Sequence, residues 1–451
     1  MRTIHFVLLR RLCHVVPLAL FGFAVGNIAQ GQTVTTSAIV QPVGGVSIDT
    51  GGVLSNARTD DLGVLSKLRQ RSLEKIPADL NPAVEMRKIS LRRLEAALEE
   101  CAQNKKPIPD ALQYLAGLQH IRYLFVYPEQ KDIVLVGPGE GWKVDARGNV
   151  VGLATGRPVM LLDDLLVALR TAHAAARGGI TCSIDPTPEG LARIKSPVRG
   201  SDPLLVAQDL ESALGMQRIS VEGVPATSHF ARVLVAADYR MKRIAMNFDP
   251  SPVRGLPSYL QMVRPGARSV LSPRFWLEPR YEALLRDADH LAFELHNSSV
   301  KAMTEEDHVA AGGRIEHSGK ASPAAQRWAD IMTAKYPELA VADPIFGQLQ
   351  NCMDLAVVGA LIAKERLAEK AGYSMPVLLE SSDIQPVVFN APKQVPSKAS
   401  TLKRGHTWVI SVSGGVAIYS WSLADGAKPS ETVKAVRTQA APDENANWWW
   451  N

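Results

Sequence analysis

The chain has 451 residues, 46% of them hydrophobic and 21% charged, which is globular composition with room for two or three domains. Its formal charge is +5. Three of its cations, Arg2, Arg10 and Arg11, lie in the first thirty-one residues, where there is no acid, and without that stretch the charge is +2. So small a surplus leaves no electrostatic footprint for nucleic acid.

Residues 1–31 read as a signal peptide. Arg10 and Arg11 supply the positive region, Val15 to Val25 the apolar core, and Ala29-Gln-Gly31 a small-x-small cleavage site, with Ala24-Val-Gly26 as its rival. The apolar run is too short to span a bilayer, and no later run is expected to do so; the nearest, Leu355 to Ala363, sits inside an amphipathic pattern. Export implies an oxidising compartment. The cysteines beyond this stretch, Cys101, Cys182 and Cys352, are odd in number and widely spaced, so they read as buried thiols rather than a disulfide framework or a CxxC motif.

A hairpin is expected at 45–54 and a helix at 60–76. Ser90 caps a second helix through Cys101, with Leu91, Leu94, Ala97 and Leu98 as its buried stripe. Strands follow at 121–127 and 132–136, then the glycine-rich loop 137–141. That loop lacks the lysine of a P-loop and the spacing of a dinucleotide fold, so it reads as a turn. Farther on come a helix near 204–214 and a strand near 218–222. From Pro273 a short helix at 281–285, a strand at 291–295 and a helix from Pro323 are expected. Asp343-Pro344 then opens the clearest helix in the chain, 344–371, ended by Gly372. After a proline-rich link at 386–396, two alternating runs flank Gly414-Gly415 as a hairpin. The polar end reads as disordered, and Trp448-Trp-Trp450 as a sticky tail.

One stretch occurs twice. Ile180-Thr-Cys-Ser-Ile-Asp-Pro-Thr-Pro and Ile244-Ala-Met-Asn-Phe-Asp-Pro-Ser-Pro are each a short alternating run followed by Asp-Pro-x-Pro, and each has an amphipathic helix upstream. A second echo links the Gly-containing turns at 45–53 and 141–150, each followed by Asp-Asp-Leu, at Asp60-Asp61 and Asp163-Asp164. The expected fold is α+β (or α/β): internally duplicated helix–strand units forming a mixed sheet with helices packed on it, plus a helical C-terminal part. The segments are a signal peptide 1–31, a duplicated region 43–270, a mostly helical region 271–380 packed on it, a proline-rich link and hairpin 381–421, and a tail 422–451.

The strings Val235-Ala-Ala-Asp-Tyr-Arg-Met-Lys-Arg-Ile-Ala-Met246, Pro252-Val-Arg-Gly-Leu-Pro-Ser-Tyr-Leu260 and Asp354-Leu-Ala-Val-Val-Gly-Ala-Leu-Ile362 resemble an uncharacterised exported domain family described mainly from planctomycete genomes. The resemblance covers roughly 43–371. It implies export, and it brings no activity and no functional residue.

The densest polar chemistry is at 287–317. His290, Glu294, His296, Asp307 and His308 are the candidate metal ligands, since imidazole and carboxylate suit zinc, manganese or iron. On a strand Glu294 and His296 face the same way, and a returning segment would bring Asp307 and His308 to them. The spacing is no recognised ligand motif, and acid–His runs are usually solvated surface. Ser411-Val-Ser413-Gly-Gly lacks a nucleophile elbow, and His229, in a helix's first turn, reads as structural. The polar run Asp238, Tyr239, Arg240, Lys242 and Arg243 reads as surface ion pairing or as a recognition face. The function expected is an exported, non-catalytic binding or scaffold protein. Arg254 and Arg193 would meet an anionic cell-envelope component or another protein; the alternative is a metal-dependent hydrolase using 287–317.

Overall fold

The computed structural model describes residues 44–57, 67, 69–71, 73–193, 202–263, 270–309, 315–317, 321–404, 406–410, 412–442 and 447–451. The expected signal peptide and most of the helix at 60–76 lie outside them. The fold is α+β. Among the described residues, a nine-stranded sheet runs in the order Ile315–His317, Ser299–Val309, Val270–Arg280, Ser413–Ile418, Ile180–Pro186, Met216–Glu222 and Gln394–Pro396, with Ser400–Arg404 and His406–Ile410 pairing off its middle. A seven-stranded sheet runs Lys428–Pro429, Ala283–Arg286, Ala292–His296, Tyr123–Tyr127, Asp132–Gly139, Val84–Ser90 and Trp449–Trp450. Two ribbons, Val46–Ile48 with Leu54–Asn56 and Trp142–Val144 with Val150–Gly152, are the two Gly-turn hairpins read from the sequence.

Four helices organise the interior: α1 (Leu162–Ala175), α2 (His229–Ala245), α3 (Pro323–Ala342) and α4 (Pro344–Lys364). α2 packs on strands Ile180–Pro186 and Ser413–Ile418, and α3 on Ser299–Val309. α4 touches α1, α2 and α3 and is buried almost all round. By length and a mean hydropathy of 1.4 it would cross a membrane, but 94% of that window is buried inside the protein, so it is a core helix. It ends at Lys364. Arg366 takes a left-handed backbone (φ 53°), and a separate short helix, Leu367–Ala371, precedes Gly372. Asp343 has the backbone of an N-cap but makes no side-chain cap bond, because its carboxylate is spent on Arg147 and Arg240.

The seven-stranded sheet is covered on both faces. Leu124 and Val126 point to the main core, while Tyr123, Phe125 and Tyr127 form a second cluster with Val134, Val136, Val433 and Ala440. A strand buried on both sides reads as a continuous apolar run, as 123–127 does. The cover on the second face comes from the helix Glu431–Gln439.

That helix corrects the disordered tail, and so does Trp449, which pairs with Ile89 and is 7% exposed. The stretch expected as mostly helical begins instead with strands from Val270 to His317, and Ala283–Arg286 is a strand rather than a helix. The supposed turn at 137–141 largely continues the strand Asp132–Gly139.

The duplication fails at its second unit. Ile180–Pro186 is a central strand, but Ile244 and Ala245 are the last turn of α2, and the chain then turns through Met246 to Asp249. A short apolar run fits either period, and Met241, Ile244 and Ala245 pack as a helix face. Gly414-Gly415 is no hairpin tip either. Both glycines lie inside the strand Ser413–Ile418, squeezed between neighbours: a Cβ on Gly414 would stand 1.6 Å from Phe275 O and one on Gly415 1.8 Å from Cys182 O.

Two polar knots sit inside these layers. Lys242 Nζ donates to Asp238 Oδ2 (2.8 Å), Ile184 O (3.2 Å) and Gly414 O (3.1 Å), tying α2 to two strands. On α4, Asp354 Oδ1 accepts from Ser298 Oγ (2.6 Å) and Tyr281 Oη (3.0 Å), and Gln350 joins Ser298 to Arg157. Burial raises both carboxyls, Asp238 to about 6 against the pull of Lys242, and Asp354 to about 7 against its hydroxyl donors.

Candidate functional site

The expected metal ligands fall in separate settings. His290 occupies a positive-φ turn, and its Nδ1 lies 2.8 Å from Glu365 Oε2. Glu294 and His296 do share a face, but they are bonded to each other at 3.0 Å, with Arg122 3.6 Å from Glu294. Asp307 and His308 belong to Ser299–Val309, in the other sheet, and their side chains lie outside the described residues. Among the described residues no group of three or more His, Cys, Asp or Glu is placed to hold a metal ion.

A cavity of about 590 Å³ opens elsewhere, where the first turns of α1 and α2 approach the 142–152 ribbon, α4 and the segment 385–389. The local sequence explains its wall. Ser228 caps α2, its Oγ accepting from Ala231 N, which puts His229 at the first helical position. Asp163 and Asp164 stand in the first turn of α1, where the helix dipole favours acids. His229 Nδ1 lies 3.0 Å from each carboxylate oxygen of Asp164. Asp163 Oδ2 accepts from Val387 N (3.2 Å), and Phe389 N donates to Thr227 O (2.7 Å), so the two helix ends hold the segment that rims the cavity. Arg170 secures the same segment by donating to Leu378 O, Ile384 O and Gln385 Oε1.

Burial opposes the charge on His229, but the Asp164 carboxylate outweighs it, so the imidazole keeps its proton to a higher pH than a free histidine. Asp163 is raised by burial, with Val387 N–H opposing. Burial, with Asp110 second, pushes the Tyr114 hydroxyl up to about 12. Behind the pair, burial and then the Asp164 carboxylate hold the Cys352 thiol well above its ordinary range, so it is inert.

No sequence signal marks this site. In the sequence Asp163-Asp164 stands out only as the Asp-Asp-Leu after a Gly-containing turn, and His229 only as a structural histidine. Neither spacing nor a motif joins positions 65 residues apart; the only available signal was that both residues open amphipathic helices.

The polar run on α2 divides in two. Asp238 and Lys242 point inward. Arg243 holds Asp249 with two bonds of 2.7 Å, and Arg240 bridges Asp249 and Asp343, so Asp249 is lowered chiefly by Arg243. These side chains lock the turn after α2 rather than forming a recognition face. Of the two arginines expected to meet an anionic partner, Arg193 donates to Ala213 O at the end of the helix Pro203–Leu214, and Arg254 lies exposed.

A family model described only as a protein of unknown function (DUF1598) matches residues 182–259. The matched stretch runs from the central strand through α2, so it includes His229 and leaves Asp164 outside. No curated protein matches the chain significantly, and neither does any solved structure.

Proposed function

We propose that this is an exported, non-catalytic binding protein of the cell envelope, whose ligand sits in the cavity beside His229. The observation that carries the reading is the cavity itself. At about 590 Å³ it falls within the span of roughly 300–1,000 Å³ usual for small-molecule sites, and its polar side chains are held by fixed partners. A histidine whose charged form is favoured by a buried carboxylate over the pull of burial suits donating a hydrogen bond to a ligand. Export is supported by the arginine pair, apolar run and Ala29-Gln-Gly31 of the first thirty-one residues.

Protein purified from its own cells should carry a non-covalent small molecule in native mass spectrometry. Gln113→Trp, at an exposed position on the rim, should lose that molecule while melting at the wild-type temperature. Absence of any adduct from the wild type would remove the cavity as the site. An adduct retained by Gln113→Trp would move the site elsewhere. The same spectra read the mature N-terminus, expected at Gln32, or at Asn27 if the rival cleavage site is used; an intact Met1 would overturn export.

A further inference from the structure

A second cavity, of about 280 Å³, opens where both Gly-turn ribbons meet the last turns of α2 and the start of α4. Its wall carries a chain of alternating charges. Arg147 Nη1 donates to Asp343 Oδ1 (3.3 Å). Arg240 donates from Nε to Asp343 Oδ2 (2.7 Å) and from Nη1 to Asp249 Oδ2, and Arg243 holds Asp249 through Nε and Nη2. All five side chains line the cavity, and among the described residues its lining holds no other charged group. Three guanidiniums stand against two carboxylates, a surplus of one positive charge, and proton uptake by either acid would only enlarge it. Asp145, in the neighbouring hairpin turn, lies outside the lining, and its carboxylate accepts from the backbone N–H of Arg147 and of Asn149.

Locking the turn after α2 occupies the acceptors of this chain but not its donors. Each oxygen of both carboxylates already accepts from an arginine. A guanidinium is a fork of N–H donors, and Arg147 engages one of them and Arg240 two. Tyr239, also in the lining, accepts from Arg243 Nη1 (3.4 Å), which leaves its own O–H to donate. The unengaged donors are also the accessible ones. The Arg147 side chain is 58% exposed and that of Asp343 7%, so the carboxylate lies behind its partner. α4 opens at the same wall, and since Asp343 makes no side-chain cap bond, the positive end of that helix adds to the field here.

We propose that this cavity binds a small oxyanion, a carboxylate or phosphate group on a compact molecule, with Arg147 and Arg240 as its forked donors. An oxyanion brings acceptors and negative charge, which are what the wall lacks, and its planar or tetrahedral oxygens fit the guanidinium fork. A volume just under the roughly 300 Å³ at which small-molecule sites usually begin keeps the ligand to a few heavy atoms. The site shares Asn149 with the cavity beside His229 but none of its charged groups, so it stands independently of the binding role proposed above.

The test is isothermal titration calorimetry of the full chain at low salt with lactate, pyruvate, inorganic phosphate and glycerol phosphate, and with lactamide as the uncharged counterpart of lactate. At least one anion should bind and lactamide should not. Binding of lactate or pyruvate marks a carboxylate ligand, and binding of phosphate or glycerol phosphate a phosphorylated one. Arg147→Gln removes the cation least engaged in the fold and leaves Asp343 paired with Arg240, so it should weaken that anion at least about tenfold, the scale of one charged hydrogen bond. Asn56→Trp, at an exposed position in the lining, should block the cavity and abolish binding. Should Arg147→Gln fail to fold, Asn56→Trp decides. Failure of all four anions, binding of lactamide as tight as that of lactate, or anion binding that both variants leave unchanged overturns the proposal. Loss of anion binding in Gln113→Trp rather than in Arg147→Gln would place the anion in the cavity beside His229, which sinks this site and keeps the binding role proposed for the other.

Discussion

His229 Nδ1 lies 3.0 Å from both carboxylate oxygens of Asp164, although 65 positions separate the two residues in the chain. The pair joins the first turns of α1 and α2 at the wall of the cavity, and α4 backs it with Cys352. It therefore does two things at once: it fixes the angle between two core helices and sets the protonation of the one imidazole among the described lining residues.

The pH dependence of this pair has a definite sign. The folded pKa of His229 is raised above its unfolded value near 6.5, so the pair's contribution is fully present below about pH 6.5 and is lost as pH rises through the folded pKa. His229→Gln should cost about 3 kcal/mol at pH 6, as expected when one partner of a buried ion pair is removed. The cost should shrink above the folded pKa. Urea unfolding of wild type and variant from pH 6 to 9 checks it, and a cost independent of pH would show that the imidazole is not charged in the folded protein.

Asp354 should give the opposite dependence from that of an ion-paired acid whose pKa is lowered on folding, such as Asp249. Its folded pKa, about 7, lies above the unfolded one, so between these values the folded state holds the extra proton and stability falls as pH rises. Relative to Asp354→Asn, the wild type should lose on the order of 3 kcal/mol between pH 5 and pH 8. Denaturant midpoints of the two proteins across that range measure the difference, and parallel curves would contradict it.

Asp238→Ala would leave the Lys242 ammonium buried under the nine-stranded sheet with only two carbonyls to bond. A loss of about 3–5 kcal/mol is expected. The double variant Asp238→Ala with Lys242→Met, which removes both charges, should recover much of it.

Trp449→Ala should cost about 3 kcal/mol, the scale for truncating a buried aromatic. The indole is covered by Arg87, whose guanidinium centre lies 5.6 Å from the ring, while Nη1 of the same arginine donates to Leu80 O and Ala116 O. A drop in melting temperature against Trp448→Ala, whose indole is less buried, distinguishes packing from mere removal of a tryptophan.

Local patterns were legible wherever one segment decides its own structure. The helix Leu91–Gln103 shows it: Ser90 accepts from Arg93 N as the cap, and Leu91, Leu94 and Leu98 are buried as the spacing required. The strand pair 123–127 and 132–139 and the core helix α4 follow the same rule. What the sequence hid depends on distant neighbours. Gly414-Gly415 has the composition of a turn, yet its glycines answer to backbones at 275 and 182. Ile244 to Phe248 alternates like a strand, yet among the described residues no strand pairs with it, and Arg243 instead holds Asp249 in a turn. The tryptophans near the end look purposeless until the open edge at Val84–Ser90 is seen beside them. The His229–Asp164 pair is of the same kind, since no local signal records that two helix starts will meet.

The order in which the strands are made has a consequence for biosynthesis. Ser413–Ile418 lies between Val270–Arg280 and Ile180–Pro186, and Trp449–Trp450 borders Val84–Ser90. A ribosome delivers residues 180–280 long before 413–418, so the two halves of the larger sheet wait with open edges until the last tenth of the chain emerges. The smaller sheet waits longer still. Such pairings across long sequence separations are slow, and unpaired edges invite association with other chains. The two flanking parts of the larger sheet therefore keep unpaired edges until residues 413–418 have been made.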